Sequence, residues 1–443
     1  MRRWVESIDA EPKGLIRGKL LLRESRDLHM KSLSVILGAK SRVLIVLFAF
    51  SFLQGIVNGI WGFLPIYILG LGGSSVDIGL QALASGLAST LMQLAWGRVI
   101  DRVGHSIRMT TIGLLSASIF SLPVIFSTRP WHIVASTALM SIFTSISGVA
   151  SVIMLADLLD PKHRASFMGI YNPMGFGGNM IGSLGAGLLI PLIGYRLVFL
   201  LYSLLNLALA AIISLGLKGE ERGGGDFKYF PVMLRSFGEL IEGLRALPRV
   251  MRRGGAYTRW VMGISIRGLG LAMFGPVLTV YLVRGLNAST LQIGSLNSIA
   301  FGVRMISSPI LGVIADRKGA KRIMLMGVAL ASVFPILSSS TSDLIQMAPI
   351  FALNGLFWGF INSSWLAWQL NLIPDEHGTY AALLNFINGL EWAIGPFIGG
   401  LLSEYLGIKI PAAISSLAIL LGLSILLRVP ERVEGEGGSL NSS

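Results

Sequence analysis

Cysteine is absent from the chain, which excludes disulfides, thiolate metal sites and cysteine nucleophiles. Charge is scarce as well. Asp, Glu, Lys and Arg make up 13% of the 443 residues, about half the share usual in a soluble domain. Histidine occurs five times, at His29, His105, His132, His163 and His377, always outside the apolar runs or at their ends. No imidazole cluster can therefore form within a membrane, which argues against an intramembrane metalloprotease or a His-lined metal path. There is no nucleotide-binding glycine loop and no nucleophile constellation, so neither an enzyme nor a cofactor is expected.

Apolar sequence is what the chain has in abundance. Hydrophobic residues make up 53% of it, and the mean hydropathy is +0.70. Runs of 18 or more apolar residues recur, each long enough to cross a hydrocarbon core of roughly 30 Å. The pattern predicts an all-α integral membrane protein with twelve spans: 43–70, 76–100, 108–127, 131–156, 167–192, 197–217, 258–283, 290–315, 322–340, 345–372, 380–404 and 409–428. The first run is too long for a signal peptide, and no small-residue cleavage site follows it.

Loop charge predicts the orientation. Of the 36 Lys and Arg, 30 fall on the side that holds both termini, and 4 (Arg129, Arg196, Arg284 and Lys409) on the other. The positive-inside rule then makes both termini cytoplasmic in a multi-pass cell-membrane protein. The net charge of +13 is read as a basic face toward an anionic inner leaflet, with no nucleic acid involved. Residues 1–42 form a basic tail, 218–257 a linker and 429–443 a second tail. In the linker, Met233, Leu234, Phe237, Leu240, Ile241 and Leu244 follow helical spacing, which predicts an amphipathic helix on the inner leaflet or beneath the bundle.

The chain repeats itself. A shift of 215 residues lays GLGGSSVDIG (70–79) on GLNASTLQIG (285–294), and WGRVIDRVG (96–104) on LGVIADRKG (311–319). Gly97, Asp101, Arg102 and Gly104 thereby fall on Gly312, Asp316, Arg317 and Gly319. A shift of 213 lays Pro161, Asn172, Gly182 and Gly187 on Pro374, Asn385, Gly395 and Gly400. Two six-helix halves, 43–217 and 258–428, follow, and parallel duplication of this kind places a substrate site between the halves near the midplane. In the loops, glycine would let helices approach closely, aspartate would face a helix N-terminus, and arginine would partner acids or lipid phosphates.

The duplicated G-x-x-x-D-R-x-G resembles the signature loop of the major facilitator superfamily, and the resemblance covers nearly the whole chain. It implies two pseudo-symmetric six-helix bundles that alternate around a central cavity. It also implies that the loop residues, Gly97, Asp101, Arg102, Gly104, Gly312, Asp316, Arg317 and Gly319, latch the cytoplasmic side in one state. The chain departs from the family pattern in places. Its fourth span, ALMSIFTSISGVAS, lacks the arginine of many proton-coupled members. The glycine-proline pair typical of the fifth span in exporters has its nearest match at Gly395-Pro396 in the eleventh.

Three charged side chains lie deep in the spans: Arg267, Arg304 and Glu391. A charge at such depth costs at least ~2.5–3.5 kcal/mol on insertion scales, so it usually faces the bundle interior and has a partner. Polar residues share faces with them at helical spacing. Asn385, Asn388 and Gly395 accompany Glu391, and Asn297 accompanies Arg304. Trp358, Asn362 and Trp365 stack on the tenth span, and Gln54, Asn58 and Trp61 on the first. Burial favours the protonated form of a carboxylate and a neighbouring guanidinium favours the ionised form, so alternating arginine pairing could load and unload a proton. A static Arg–Glu bridge between helices is the competing reading, and the Trp and Asn stripes also suit plain packing.

The sequence thus predicts a monomeric, proton-coupled secondary transporter of a small organic solute, leaning toward export of organic anions or amphiphiles. Uptake of an anionic metabolite, and an uncoupled facilitator or membrane sensor, are the alternatives. Glu391 is the expected proton site. Arg267, Arg304, Asn297, Gln54, Asn58, Trp61, Trp358, Asn362, Trp365, Asn385 and Asn388 are the expected substrate contacts.

Overall fold

The computed structural model describes residues 40–221, 255–372 and 377–432. The linker helix expected within 218–257 and most of both tails lie outside these residues. Nearly all of the described chain is helical, and no strand occurs in it. Helix α1 (Ser41–Trp61) resumes as Leu64–Gly70 after a break at Gly62, and α2 is Ser75–Val103. Helix α3 (Ser106–Phe120) continues as Leu122–Ile125, and α4 is Pro130–Leu158. The run Arg164–Gly216 is folded at Gly194 (φ 80°) into two arms, α5 (164–193) and α6 (195–216). Helix α7 (Ala256–Val280) ends in a π turn, Tyr281–Gly285. Then come α8 (Thr290–Lys318), α9 (Ala320–Ser340), α10 (Leu344–Asn371), α11 (His377–Leu406) and α12 (Lys409–Leu427).

Ten helical segments are long and apolar enough to cross a membrane, the folded α5–α6 run counting as one of them. With its two arms taken separately, and with the 30-residue α11, the bundle has twelve spans. Their limits depart from the sequence-based ones by only a few residues.

The internal repeat extends to backbone detail. Ser74 caps α2 by accepting from the Asp77 N–H at 3.2 Å, and Ser289 caps α8 by accepting from the Gln292 N–H at 3.2 Å. Both caps are closed by a return bond from the acidic or amide side chain. Just before them, Gly72 (φ 82°) and Asn287 (φ 51°) hold equivalent left-handed positions. Asparagine is among the few non-glycine residues that tolerate this conformation, because its short side chain can bond locally. Gly194 and Gly407, 213 residues apart, both have positive φ and turn the chain between α5 and α6 and between α11 and α12.

Helix packing within each half relies on missing side chains. A Cβ at Gly178 of α5 would fall on the Phe52 carbonyl oxygen of α1, and one at Gly182 on the Ile56 carbonyl. From the other side, Gly55 and Gly59 of α1 meet the α5 backbone at Gly175 and Asn179. The second half repeats this with Gly395 and Gly399 of α11 against Leu269 and Met273 of α7. Lipid gives helices no hydrophobic reason to associate, so such close van der Waals contact is what joins them.

At the end that carries the α2–α3 and α8–α9 loops, hereafter the basic end, each half is closed by one carboxylate. Glu221, beyond α6, accepts from the Arg108 backbone N–H at 3.1 Å and pairs with the Arg108 guanidinium at 2.8 Å. Glu431, beyond α12, accepts from the Lys321 N–H at 3.3 Å. Negative charge at these helix starts complements the helix dipole.

Gly178→Val should lower the thermal midpoint of the purified protein sharply or prevent its folding, since overpacking costs about 1–3 kcal/mol even where neighbours can shift. Here the neighbour is backbone. Gly185→Val on the same helix, where an added Cβ meets nothing, controls for helix propensity and should leave the midpoint nearly unchanged.

Candidate functional site

The two halves meet along two seams, α2 against α11 and α5 against α8. At the end away from the basic loops both seams are tight. A Cβ at Gly400 would strike the Ser75 carbonyl, and a Cβ at Gly187 would come within 2.6 Å of the Thr290 carbonyl. These are the repeat-related glycines, each lying on the start of the other half's second helix. Farther along, Gly79 meets the Pro396 backbone, Gly86 meets Ala393, and Gly389 meets the Thr90 side chain.

Hydrogen bonds reinforce this far-end closure. Ser75 donates to Glu404 from both its N–H (3.1 Å) and its hydroxyl (2.5 Å). Arg284, in the π turn, donates to the Gly73 carbonyl at 2.6 Å. Thr290 donates to the Gly187 carbonyl at 3.0 Å and Ser298 to the Met180 carbonyl at 2.7 Å. Sequence alone marks neither Glu404 nor Arg284 as part of a latch. Both lie at span ends, where a lone charge passes for ordinary loop chemistry.

The basic end differs. A side chain added at Gly312 of α8 or at Gly169 of α5 would meet nothing. Gly97 reaches only ordinary contact with Val149 of its own half, so the close approach expected at Gly97 and Gly312 is not made in this conformation. Asp101 lies in the last turn of α2, and Arg102, Asp316 and Arg317 lie in exposed helix ends, with Arg102 holding a bonding partner. Gly104 and Gly319 end their helices in left-handed conformations, bonding back to the Ile100 and Ala315 carbonyls. Among the described residues the close contacts between the halves lie toward the far end, and Gly97, Gly169 and Gly312 near the basic end meet nothing of the other half.

Between the ends lie the membrane charges. Arg267 is 3% exposed and Glu391 6%. The Glu391 carboxylate lies directly on Gly268, where any Cβ would displace it. Neither Glu391 oxygen accepts a hydrogen bond, and the Arg267 Nε and Nη1 donate none. Ser265 Oγ stands beside the carboxylate without reaching hydrogen-bond geometry. The pair thus has proximity without a closed ion bridge. Arg267 is held by packing instead: its guanidinium lies 5.5 Å from the Trp365 ring centre, and Gly422 of α12 leaves room for its Cβ.

Arg304 does not join this pair. Its guanidinium is sandwiched between Phe176 of α5, 4.3 Å from the ring centre, and Trp358 of α10, at 5.1 Å. Trp358 in turn stands 6.2 Å from Trp392, the neighbour of Glu391 in sequence. An aromatic cage of residues from both halves therefore replaces a carboxylate partner. Cation–π contacts of this kind contribute about 0.5–2 kcal/mol. Phe176 and Trp392 extend the set expected from sequence. The signal for Phe176 was a single aromatic among the glycines of GFGGNMIG, and Trp392 sits inside the NFINGLEWAIG stretch itself.

The remaining expected residues divide. Asn58, Asn362 and Asn385 are exposed within their spans, and Asn297 and Asn388 are half-buried. Gln54 donates to Asn58 at 3.3 Å, one turn away on α1. Trp61 packs against Tyr202 and Phe199 of α6, at 4.8 and 6.0 Å, so packing occupies it. Trp365 also contacts Trp260 at 5.4 Å. Gly395 and Pro396 lie buried where α11 meets α7 and α2. Among the described residues no group of His, Asp and Glu could hold a metal ion.

Twelve spans in two repeated halves, with charges held between them, are the build of a secondary transporter. Comparison with known proteins supplies the family. The Major Facilitator Superfamily model matches residues 43–262 and again 260–441. The chain is 24% identical over 375 residues to the multi-drug resistance efflux pump PmrA homolog of Lactococcus lactis, covering 82% of this chain and 88% of that protein. It is 29% identical over 158 residues to multidrug resistance protein MdtG of Serratia proteamaculans, covering 34% of this chain and 38% of that protein. The fold is similar to that of a bacterial homolog of the human lysosomal transporter Spinster, in an inward-facing and occupied conformation. That likeness has a TM-score of 0.69 at 13% identity and covers 89% of this chain and 98% of that one. The chain belongs to the major facilitator superfamily and is a multi-pass membrane transporter.

Replacing Glu404 with Gln weakens the closure at Ser75 by about 1 kcal/mol, once solvent exposure is allowed for. The far end should then open roughly fivefold more often. Spin labels on Val76→Cys and Tyr405→Cys, in a chain that has no other cysteine, would show a larger population at long distance. An unchanged distance distribution refutes the latch.

Proposed function

We propose that the protein is a proton-coupled exporter of organic anions or amphiphiles, working by alternating access between its two halves. The observation that carries this reading is Glu391, a buried carboxylate beside Arg267 that closes no ion pair and accepts no hydrogen bond among the described residues. A carboxylate can change its charge by binding a proton, whereas a guanidinium keeps its own at any working pH. Glu391 is thus the group able to couple proton movement to a change in pairing with Arg267.

Cargo selection is assigned to the cage around Arg304 and to the exposed amides. Phe176, Trp358 and Trp392 offer aromatic faces, and Arg304 offers positive charge without a carboxylate to neutralise it. An amphiphile with an acidic or strongly polar head and a flat apolar body suits both. Asn297, Asn362, Asn385 and Asn388 on α8, α10 and α11, with Gln54 and Asn58 on α1, would supply adaptable hydrogen bonds. The names of the similar efflux proteins favour export. Two cavity arginines favour an anionic cargo, and they keep uptake of an anionic metabolite as the second reading.

With the basic end assigned to the cytoplasm by the positive-inside rule, the conformation is open to the cytoplasm and sealed outside. In the opposite state, Gly97, Asp101, Arg102 and Gly104 of one half, with Gly312, Asp316, Arg317 and Gly319 of the other, would form the cytoplasmic latch. Gly395 and Pro396 would then flex the outer seam.

A thermal-shift panel of organic anions and amphiphilic drugs would supply a cargo for proteoliposome transport. Glu391→Gln should abolish accumulation driven by a pH gradient while leaving counterflow exchange within about twofold of wild type. Accumulation that persists in this variant rules out the coupling role. Arg304→Gln should raise KM for an anionic cargo about tenfold or more, corresponding to the loss of a charge-assisted contact, with a smaller effect on a neutral one.

A further inference from the structure

Two clefts lie on the outer flanks of the bundle, far from both seams, and they occupy equivalent places in the two halves. The first, about 420 Å³, is walled by Ile107, Thr111 and Ile112 of α3 and by Ser214 and Leu217 at the end of α6. The second, about 460 Å³, is walled by Leu325, Met326 and Ala329 of α9 and by Leu423 and Leu427 of α12. Each opens at the basic end, at the level where spans give way to loops. Arg108, Lys218 and Glu221 rim the first cleft, and Lys321, Arg322 and Glu431 the second.

The charges at the rims are only partly spent. Glu221 is taken up by the Arg108 guanidinium and backbone. Glu431 accepts from the Lys321 N–H, and the Lys321 ammonium donates to the Leu427 carbonyl at 3.2 Å. Lys218 and Arg322 are exposed and make no hydrogen bond or ion pair among the described residues. Each cleft therefore joins an apolar slot facing the acyl region to a rim with one uncompensated positive charge. Water is a poor occupant of such apolar walls, and basic pockets at this level suit acidic head groups.

We infer that each half carries a binding site for one anionic phospholipid. One acyl chain lies in the slot, and the phosphate meets Lys218 in the first site and Arg322, with Lys321, in the second. The inference does not depend on what the central cavity transports.

Native mass spectrometry of the detergent-purified full chain tests it, with phosphatidylglycerol and phosphatidylcholine of identical acyl chains as probes. Two phosphatidylglycerol molecules should be retained in preference to phosphatidylcholine, by about fivefold per basic contact. Lys218→Ala with Arg322→Ala should remove that preference. Ser214→Trp with Ala329→Trp keeps the charges and fills the slots, and should remove retention of both lipids at an unchanged thermal midpoint. Equal retention of the two lipids, wild-type retention in either double variant, or displacement of the lipid by millimolar inorganic phosphate alone would overturn the proposal.

Discussion

Everything in this conformation depends on backbone touching backbone where side chains are missing. Gly187 rests on the start of α8 and Gly400 on the start of α2, so both seams pinch shut at the same end. Near the basic end, Gly312 of α8 meets no atom of the other half among the described residues. A larger residue at either seam glycine would hold the halves apart and leave the hydrogen bonds of Glu404 and Arg284 without partners in reach. The polar latch is secondary to the steric one.

Glycine contacts within one half also place the Arg267–Glu391 pair. Arg267 and Glu391 lie on α7 and α11, two helices of one half locked together through Gly395 and Gly399. Their backbone spacing is therefore set within that half, so a change in their pairing would follow from the charge of Glu391 and not from the movement between halves. Arg304 is placed differently, on the seam helix α8, with one aromatic neighbour in each half. The site contains one charge pair that rides with a rigid unit and one cation positioned where the units slide.

Much of the fold could be read from the sequence, because its signals were local and duplicated. Span limits follow from apolar runs, and the 215-residue repeat places Gly72 opposite Asn287 and Ser74 opposite Ser289. The site was less legible. Glu391 and Arg267 stood out as charges in oil, but nothing in the sequence gave their distance, and spacing could not tell that Arg304 would be caged by rings instead of facing the acid. Trp61 had the same helical spacing as the cavity residues and packs on Tyr202 and Phe199 instead. Phe176, Trp392, Glu404 and Arg284 acquire their roles from neighbours 34 to 329 positions away, which periodicity does not encode. Gly97 and Gly312, expected to allow a close helix approach, make none in this conformation.

The cage around Arg304 has a kinetic corollary. Its guanidinium belongs to one half, yet half of its shelter is borrowed from the other. If the bundles rock as proposed, the cation would give up a ring and need something in its place, either solvent or the passing molecule. An empty carrier and a loaded one would then cross different barriers, and that inequality is what would separate an obligatory exchanger from a simple shuttle.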